Sequence, residues 1–315
     1  MKKILFILAC VLVTFSVMAQ SGVNLRLNLE KNKVYRLSSI SEQQISQTIN
    51  GNQQNTESKS RYVISLKMMD VTPDFMIVEA RFDTMITNTN TMGKISVMSS
   101  AKEGDVKSAE TAEVMSYFMN KFVKNPLFLK MDFTGKVLEF LNIKMFAEAT
   151  LKDTSAITLT GPVASAVKMS IVNMVSDKSL SNLVEMFTYN LPGKQVETGG
   201  KWNITQKMYS GGMTLDIIND FRLDEVNGFQ AKISSESNIK AAENAPPIES
   251  AGARVTYDDL TGLSKSNLII DIRTGLLIEN KAKTHISGNM GVSVGAMSMT
   301  IPMDINGESK INELQ

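Results

Sequence analysis

The stretch that decides the fold is SNLIIDIRTGLLIENKAKTHI, residues 266–286. An apolar run leads into Asp271 and Gly275, which supply a side chain that holds a turn and a backbone that accepts positive φ. After the turn, apolar and polar residues alternate as far as Ile286, with the period of two that is typical of a half-buried strand. The stretch therefore predicts a β-hairpin.

An earlier segment, LKMDFTGKVLEF at residues 129–140, repeats the same order of apolar run, aspartate, Thr-Gly turn and strand. Two further features recur in matching order. They are a strand that opens with lysine and an aromatic residue (Lys33-Val34-Tyr35 and Lys201-Trp202) and an Asp-to-Phe hairpin (Asp70–Phe75 and Asp224–Phe229). These matches predict two related halves: residues 20–160, and residues 161–315 with a helical connector at their start.

Alternation elsewhere predicts further antiparallel strands, and apolar residues at i, i+3, i+4 and i+7 predict a helix over residues 108–123. The pattern is helical again at 140–152 and 160–189, where Ser179 is a candidate N-cap for the second helix. The polar residues 52–58 predict a lengthened loop, and 84–107 fit either a long loop or a weak hairpin. Pro302 lacks a backbone donor, so the alternating strand around it is predicted to lie at a sheet edge.

Taken together, these patterns predict an α+β fold of mostly antiparallel, curved sheet with several helices and two related halves.

The first residues have the form of a secretory signal peptide: Lys2 and Lys3, an apolar run to Met18, and a small residue at Ala19. We expect residues 1–19 to be removed near Ala19, which places the mature protein in the periplasm or outside the cell. Cys10 offers the alternative of a lipidated first residue, which we disfavour because the apolar run continues past it. Without Cys10, disulfide and thiolate chemistry are excluded.

The charge and hydropathy of the chain limit the kinds of partner that it can bind. The chain has 33 basic and 32 acidic residues, a net charge of +1, and no block of like charge. A nucleic-acid surface needs a concentrated positive patch, so we expect no nucleic-acid partner. No later apolar run reaches the roughly 20 residues that a spanning helix needs, so we expect no transmembrane segment in the mature chain.

The sequence contains no catalytic set, and we predict no catalytic, cofactor or metal residues. His285 is the only histidine and lies on the charged face of a strand, where a solvated surface role is the plain interpretation. The densest carboxylate pairs are Asp70/Asp74, Asp216/Asp220 and Asp258/Asp259. Aspartate is expected in turns for geometric reasons, so a hydrolase that uses such a pair is our third hypothesis.

The 21 methionines, against 6 tyrosines and 1 tryptophan, suggest a more specific hypothesis. Methionine is flexible and polarizable, so methionine stripes on a strand and a helix can line a pocket for an acyl chain. The default alternative is that the same residues pack the core in place of Leu and Phe. The predicted ligand pocket consists of Met115, Phe118, Met119, Phe122, Met297, Met299 and Met303.

Three features resemble an uncharacterised family of exported Bacteroidetes proteins, a domain of unknown function spanning nearly the whole mature chain. They are the strand that opens at Lys33, the segment from Leu191-Pro192-Gly193-Lys194 to Gly199-Gly200-Lys201-Trp202, and the hairpin 270–277. The resemblance implies an envelope or secreted location and carries no catalytic residues. More loosely, strands wrapped on apolar helices are similar to the half-barrel of periplasmic lipoprotein carriers, an analogy of fold alone.

We therefore expect an exported protein that binds an apolar ligand or lipid without catalysis and without a cofactor. The alternative is a structural or protein-interaction module of the cell envelope. Such a module would add its edge strand, residues 298–306, to the sheet of an envelope protein partner.

Overall fold

The structure, a computed structural model, describes residues 22–210, 213–250, 252–257 and 259–314. In these residues, fourteen strands form one antiparallel sheet, and a short pair, β1 (Val23–Leu25) with β8 (Lys194–Val196), lies apart from it. The predicted α+β class and antiparallel pairing are confirmed. The strands of the large sheet are β2 (Val34–Ile49), β3 (Asn52–Val71), β4 (Met76–Thr91), β5 (Lys94–Ser99), β6 (Leu127–Met131), β7 (Val137–Phe140), β9 (Lys201–Ser210), β10 (Met213–Asn227), β11 (Gln230–Ala241), β12 (Ile248–Ser250), β13 (Ala253–Thr256), β14 (Thr261–Asp271), β15 (Leu277–Val294) and β16 (Met297–Leu314).

The described residues also form a 3₁₀ turn at Thr154–Ala156 and the helices α1 (Thr111–Val123), α2 (Ile143–Leu151), α3 (Gly161–Met174) and α4 (Asp177–Thr188). None of these helices combines the length and the apolar character that crossing a bilayer requires. The helix predicted over 108–123 and the helical stretches after residue 140 are confirmed. Ser176, not Ser179, caps α4: its side chain accepts a hydrogen bond from the backbone N–H of Ser179.

Strand order shows the two halves directly. Across the large sheet, neighbouring strands follow the order β7-β6-β4-β3-β2-β16-β15-β14-β11-β10-β9. Strands β7 to β2 therefore lie in reverse chain order, and β15 to β9 repeat that reverse order. Strand β16 joins the first strand of one half to the last strand of the other, and this repeated order is the arrangement that two related halves would give. The exact division of the chain at residue 160 stays a prediction.

Two stretches predicted or allowed as loops are strands. Asn50 and Gly51, with φ of 50° and 77°, make a tight turn, and residues 52–58 run straight into β3. Likewise β4 continues to Thr91, turns at Met92-Gly93 and returns as β5. Residues 52–58 and 87–91 are polar on both faces, so they lack the apolar alternation that marks a strand. Instead, hydroxyl groups on neighbouring strands contact one another across the sheet. The hydroxyl oxygens of Thr56 and Thr91, for example, lie 3.1 Å apart.

The prediction that residues 298–306 form an edge strand is wrong for its last part. From Met303 onward, β16 pairs with β15 on one side and with β2 on the other. Only Met297–Pro302 has a single neighbour, because β2 pairs with β16 only as far as Met303. Pro302 therefore stands one position outside the two-sided ladder, where a missing donor is tolerated.

Helix α4 occupies the gap between the two ends of the strand path. It contacts both β7 and β9, which is geometrically feasible only if the sheet curls round. Glu185 Oε1 accepts a hydrogen bond from the N–H of Val137 at 2.9 Å. Asn182 donates to the carbonyl oxygen of Lys207 at 2.9 Å and accepts from the N–H of Tyr209 at 3.3 Å. The sheet is thus strongly curved and open, with its edges bridged by a helix.

The two ends of the curved sheet differ. We call one end the base: it carries the β3–β4, β6–β7, β10–β11 and β14–β15 turns. We call the other end the rim: it carries the β2–β3, β4–β5 and β15–β16 turns and the β11–β14 connection. The main hydrophobic core lies at the base, where the inner face of both halves packs against α1, α2 and α4.

The segment that precedes β2 crosses the base and is bound to both halves. Leu25, Leu27 and Leu29 are at most 4% exposed within the main core. The N–H of Leu27 donates to the carbonyl oxygen of Phe133 at 2.8 Å, and the N–H of Asn28 donates to that of Thr274 at 2.9 Å. These two acceptors belong to the repeated Asp-to-Gly hairpins, so one segment ties the two copies together.

Candidate functional site

A row of isoleucines crosses the rim half of the inner face. Directly paired positions on neighbouring strands share a face of the sheet. The register places isoleucines from β2, β16, β15, β11 and β10 in one line, interrupted only by Gly262 on β14. We call Ile45, Ile305, Ile286, Ile239 and Ile217 the isoleucine row.

The isoleucine row belongs to a second hydrophobic cluster, separate from the main core. Its buried members include Leu215, Leu260 and Met303, and the partly buried Met208 and Met213 pack against them. We call this set, with the isoleucine row, the rim cluster. In the part of the chain that the structure describes, every member comes from a strand or from the β11–β14 connection, and none comes from a helix. Among the described residues, the helices therefore add no apolar side chain to the rim cluster.

Between the rim cluster and the main core, the inner face carries two rows of small residues. We call them the small-residue belt, and most of its members carry a hydroxyl group. Small side chains here keep the middle of the inner face free of bulk. The rows are Thr87–Ser60–Ser41–Ser309–Ala282–Ser266–Ser235 and Thr89–Ser58–Gln43–Gly307–Thr284–Ser264–Ser237.

The belt is polar but uncharged. The hydroxyls of Ser264 and Thr284 lie 2.8 Å apart, and Ser237 donates to Asn219 Oδ1 at 2.6 Å. One row nearer the base, Asn280 stands between Ile311 and Leu268, and its Oδ1 is buried with no hydrogen-bond partner among the described residues. This surface can exchange hydrogen bonds with neutral polar groups, and it offers no counter-charge to an ion.

The outer face of the same strands is charged. Lys283 pairs with Glu308 at 2.8 Å and Lys207 with Asp216 at 2.5 Å. The paired carboxylate holds the pKa of each of these two lysines above its usual value. Exposed pairs of this kind contribute little stability, because water and salt screen the attraction between the charges. The sheet therefore has a charged outer face that contacts water and an inner face that carries no charge in the small-residue belt or the isoleucine row.

The structure does not bring the seven predicted pocket residues together. Met119 and Phe122 lie in the main core, while Phe118 and the partly buried Met115 pack with α3 in a third cluster. The reason is that α1 lies against β4 and β5, away from β16. The three β16 methionines sit at the rim: Met303 in the rim cluster, Met297 73% exposed and Met299 45% exposed.

The polar candidates have individual roles in the outer surface and the turns. The His285 side chain is exposed, and its Nδ1 lies 3.0 Å from Asn306 Oδ1. Asp70 pairs with Lys31, which holds the pKa of Asp70 below its usual value. Asp259 accepts hydrogen bonds from the backbone and side chain of Asn289, at 2.7 and 2.6 Å.

Asp74 stands in the β3–β4 turn, where its backbone N–H donates to Thr72 Oγ1 at 3.4 Å. Asp216 pairs with Lys207, and Asp220 accepts from the Asn203 amide at 3.1 Å. Asp258 lies outside the described residues, as do the predicted signal peptide, Cys10, Gly211 and Gly212. In the described part of the chain, no three His, Cys, Asp or Glu side chains gather in a way that could hold a metal ion.

Two polar clefts open at the base, with volumes of about 640 and 390 Å³. Both are lined by Asp271 and Arg273, whose guanidinium holds the pKa of Asp271 below its usual value. Arg273 also lies over the ring of Phe229, with its guanidinium carbon 4.7 Å from the ring centroid. These clefts are charged and open to water, so they suit an apolar ligand poorly.

Sequence reasoning missed the isoleucine row and the belt. The signal is present in single strands: Ser235, Ser237 and Ile239 alternate on β11, and Ser264 and Ser266 alternate on β14. Each strand alone resembles an ordinary polar face. The rows appear only when the strands are aligned in register, and the order of distant strands is not written in any local pattern.

A protein-family model matches part of the chain. The family model DUF6263, a family of unknown function, matches residues 73–277. No curated protein sequence matches the chain.

Among solved structures, the chain is similar to one on lipid–protein interactions in lipovitellin, with a TM-score of 0.50 and 9% identity over 91% of this chain and 26% of that one. The chain thus spans about a quarter of lipovitellin, and at this identity the likeness concerns the fold alone.

Two further matches have TM-scores too low to carry an argument. OccK5 from Pseudomonas aeruginosa has 6% identity over 90% of this chain and 99% of that one, with a TM-score of 0.24. A domain assigned to outer membrane lipoprotein sorting, from Vibrio parahaemolyticus, has 9% identity over 88% and 83%, with a TM-score of 0.13.

Proposed function

We propose that this chain, which belongs to DUF6263, a family of unknown function, binds an apolar ligand or lipid without catalysis, on the inner face of the rim half of its sheet. One observation carries the proposal. The isoleucine row and Met303 form an apolar cluster on the inner face, beyond the main core, and its apolar members among the described residues all come from strands and the β11–β14 connection.

The chemistry of the inner face fits a ligand with an apolar chain and an uncharged polar group. The chain would lie along the isoleucine row, where burial contributes about 25 cal/mol for each Å² of apolar surface. The polar group would reach the small-residue belt, whose hydroxyls bond to neutral acceptors and donors such as esters, amides and alcohols. A charged group is disfavoured there, because the belt has no counter-ion to offset the loss of its hydration.

Similarity to lipovitellin supports the proposal at the level of fold. That structure concerns lipid–protein interactions, and the likeness covers 91% of this chain. Identity of 9% transfers no residue roles, so the ligand site rests on the inner face described above.

The proposal includes export of the chain. Lys2, Lys3 and the apolar run to Met18 support a secretory signal, although these residues lie outside the described part of the structure. Mass spectrometry of the protein from its native envelope tests this part. A chain that starts at Gln20 is expected, and a chain that retains residues 1–19, or starts at a lipidated Cys10, would contradict cleavage after Ala19.

The ligand itself is tested by mass spectrometry under native conditions and after organic extraction. A stoichiometric apolar molecule that leaves on extraction is the expected result. In parallel, titration with a fluorescent long-chain fatty alcohol should give saturable binding. A protein that carries no apolar molecule and gives no saturable titration would overturn the proposed function.

Adjacent residues of β16 supply a matched pair of variants that locate the site. Ser309 lies in the belt, and Lys310 points to the opposite, outer face. Ser309→Phe fills the inner face and should weaken alcohol binding by about tenfold, whereas Lys310→Phe should leave it unchanged. Ser266→Leu, a smaller change in the same row, is the second variant if Ser309→Phe does not fold. Equal losses from both faces would place the ligand elsewhere.

The alternative of an envelope interaction module loses part of its basis. It required residues 298–306 to pair with a partner strand, and residues 304–306 already pair with residues 44–46 of β2. The ligand-binding proposal does not depend on a free strand edge.

A further inference from the structure

We propose that the rim is a docking surface for a lipid bilayer, which the tips of the β4–β5 and β15–β16 hairpins enter. Docking goes beyond ligand binding, because it concerns the surface on which the protein acts. Exposure, charge, spacing and continuity with the rim cluster each support it.

Exposed apolar side chains gather on the two hairpins. Met92 and Ile95, at the β4–β5 tip, are 73% and 66% exposed. On the other hairpin, Val294 is 47%, Met297 73% and Met299 45% exposed. Large apolar side chains in such exposed positions cost free energy in water, and clusters of them mark an interaction surface.

The rim is also depleted of charge. Residues 286–303, the outer part of the β15–β16 hairpin, contain no Asp, Glu, Lys, Arg or His, and neither do residues 43–56 around the β2–β3 turn. Residues 84–101 contain one charge, Lys94. Further charges toward the rim include Glu243, Glu249, Arg254, Asp258 and Asp259 in the β11–β14 connection, and the Lys207–Asp216 pair one position beyond the isoleucine row. The base turns, in contrast, are rich in charged residues, so the molecule is polarised from end to end.

The spacing of the tips favours a bilayer over a protein partner. Strands β3 and β2 separate β4 from β16 by about 14 Å across the sheet at the usual strand spacing, and the register places Met297 seven residues, about 23 Å, farther toward the rim than Met92. A protein partner would need separate pockets for each tip to reach the packing density of an interface. A fluid lipid surface accepts each side chain where it stands, and flexible methionines suit it. A rim with so few charges complements zwitterionic lipid and gives no preference for anionic lipid.

An apolar track on β16 connects the exposed rim with the rim cluster. Met297 and Met299 are exposed, whereas Ile301, Met303 and Ile305 on the same face are only 5–8% exposed. The apolar face of β16 therefore runs from the exposed tip to the buried end of the track at Ile305 without a charged residue. Docking itself does not require that any ligand be bound.

Flotation with phosphatidylcholine vesicles tests docking directly. Wild-type protein should float, equally well with vesicles that contain phosphatidylglycerol, and high salt should not release it. Val294→Asp should lower the bound fraction by about tenfold, because a carboxylate must be desolvated at the lipid interface. Val71→Asp is the matched control at the base, with wild-type exposures of 48% and 47% for Val71 and Val294. It should float like the wild type.

A second measurement does not depend on the stability of a charged variant. The native Trp202 is 8% exposed, close to the base, and should be insensitive to brominated phosphatidylcholine. A tryptophan introduced by Met297→Trp should be quenched by brominated vesicles, and one introduced by Val71→Trp should not. Equal or absent quenching would overturn the proposal.

The outcomes separate docking from ligand binding. Saturable binding of the fatty alcohol without flotation would refute docking and leave the proposed function standing. Flotation without alcohol binding would do the reverse. If sedimentation shows a dimer that Val294→Asp dissociates, and no vesicle binding, the rim is a contact between two copies and the bilayer proposal is wrong.

Discussion

Gly135 and Gly275 occupy equivalent places in the two halves, and a close backbone approach excludes a side chain at both. Their φ values are +92° and +75°, in the region that favours glycine. A Cβ on Gly135 would stand 2.1 Å from the carbonyl oxygen of Thr188, and one on Gly275 would stand 2.3 Å from that of Arg26. The repeated Thr-Gly of the sequence is therefore required by packing as well as by the turn.

We expect Gly275→Ala to lower the free energy of unfolding by at least about 2 kcal/mol, because φ strain and a backbone clash add. Urea denaturation measures the change. Gly93→Ala is the matched control: its φ is +84°, and nothing lies within 4 Å of the added methyl group. It should cost only the strain, about 1 kcal/mol. Equal losses for the two variants would show that the contact with Arg26 is unimportant.

Glu185 links stability to pH. Burial raises its pKa above the ordinary glutamate value of 4.5, although the hydrogen bond from Val137 and the charge of Lys136 act against this. The folded state therefore holds this proton more strongly than the unfolded state does. Its contribution is fully present below the unfolded pKa and is lost as pH rises through the raised folded value.

We expect Glu185→Gln to be more stable than the wild type at neutral pH, with the two proteins converging as pH falls below 4.5. Glutamine keeps an oxygen that accepts from Val137 and needs no proton to stay neutral. Urea denaturation at both pH values measures the difference. A gain of the same size at both would show that titration of Glu185 is not its cause.

At this scale the sequence predicts turn chemistry well. The Asp and Gly of each repeated hairpin stand in the turn, and Asp271 Oδ1 accepts from the N–H of Arg273 at 2.9 Å as a turn residue should. The partner of Glu185 was not predictable, because Val137 lies 48 positions away on another element.

At the scale of elements, α4 replaces the strand that each end of the sheet lacks. A bare strand edge is a site for unwanted pairing with other chains. Asn182 protects β9 by bonding to a carbonyl oxygen and an N–H of that edge, and Glu185 does the same for one N–H of β7. The helix therefore stabilises the curvature and protects the edges.

Asn182→Ala removes both side-chain hydrogen bonds to β9, and we expect the free energy of unfolding to fall by about 1–3 kcal/mol. Amide hydrogen exchange should speed up at Tyr209, because its N–H loses the acceptor on Asn182. Ser181→Ala, one residue earlier on α4, is the control. It leaves both Asn182 bonds in place and should keep the Tyr209 amide protected. Unchanged exchange at Tyr209 in Asn182→Ala would show that α4 does not hold this edge.

Local sequence predicts elements well where one face is apolar. The period of α1 and the alternation of β16 are both clear from the chain. The hairpins at Asn50 and Met92 were harder to identify because residues 52–58 and 87–91 beside their turns are polar on both faces. Residues 303–306 of β16 were wrongly predicted to lie at a sheet edge. Pro302 lacks a hydrogen-bond donor at its own position only, whereas the pairing of the rest of the strand depends on β2.

At the scale of the whole molecule, the sequence predicts the duplication and the antiparallel class, because both follow from repeated local patterns. It does not predict that β16 joins the two halves, nor that α4 bridges the ends of the path. The isoleucine row depends on that join, since Ile45 and Ile305 belong to opposite ends of the chain. The proposed ligand site is therefore a property of the assembled sheet.

The segment across the base makes the two halves one cooperative unit, and Leu27 is the residue that tests this. Its side chain is 0% exposed in the main core, and its N–H bonds to Phe133 in the first half, while the next residue bonds to Thr274 in the second. Leu27→Ala removes buried contacts and leaves a cavity between the halves. We expect the free energy of unfolding to fall by about 2–5 kcal/mol.

The loss should appear as one transition, in which Trp202 fluorescence, from the second half, and far-ultraviolet circular dichroism, from both halves, change at the same urea concentration. Asn24→Ala, an exposed position in the same segment, is the control and should stay within about 0.5 kcal/mol of the wild type. If Leu27→Ala instead splits the transition and leaves the Trp202 signal at its wild-type midpoint, the second half folds without the first. The curved sheet would then be two units joined by β16, because one core shared across the base cannot lose a central side chain and leave half of itself unaffected.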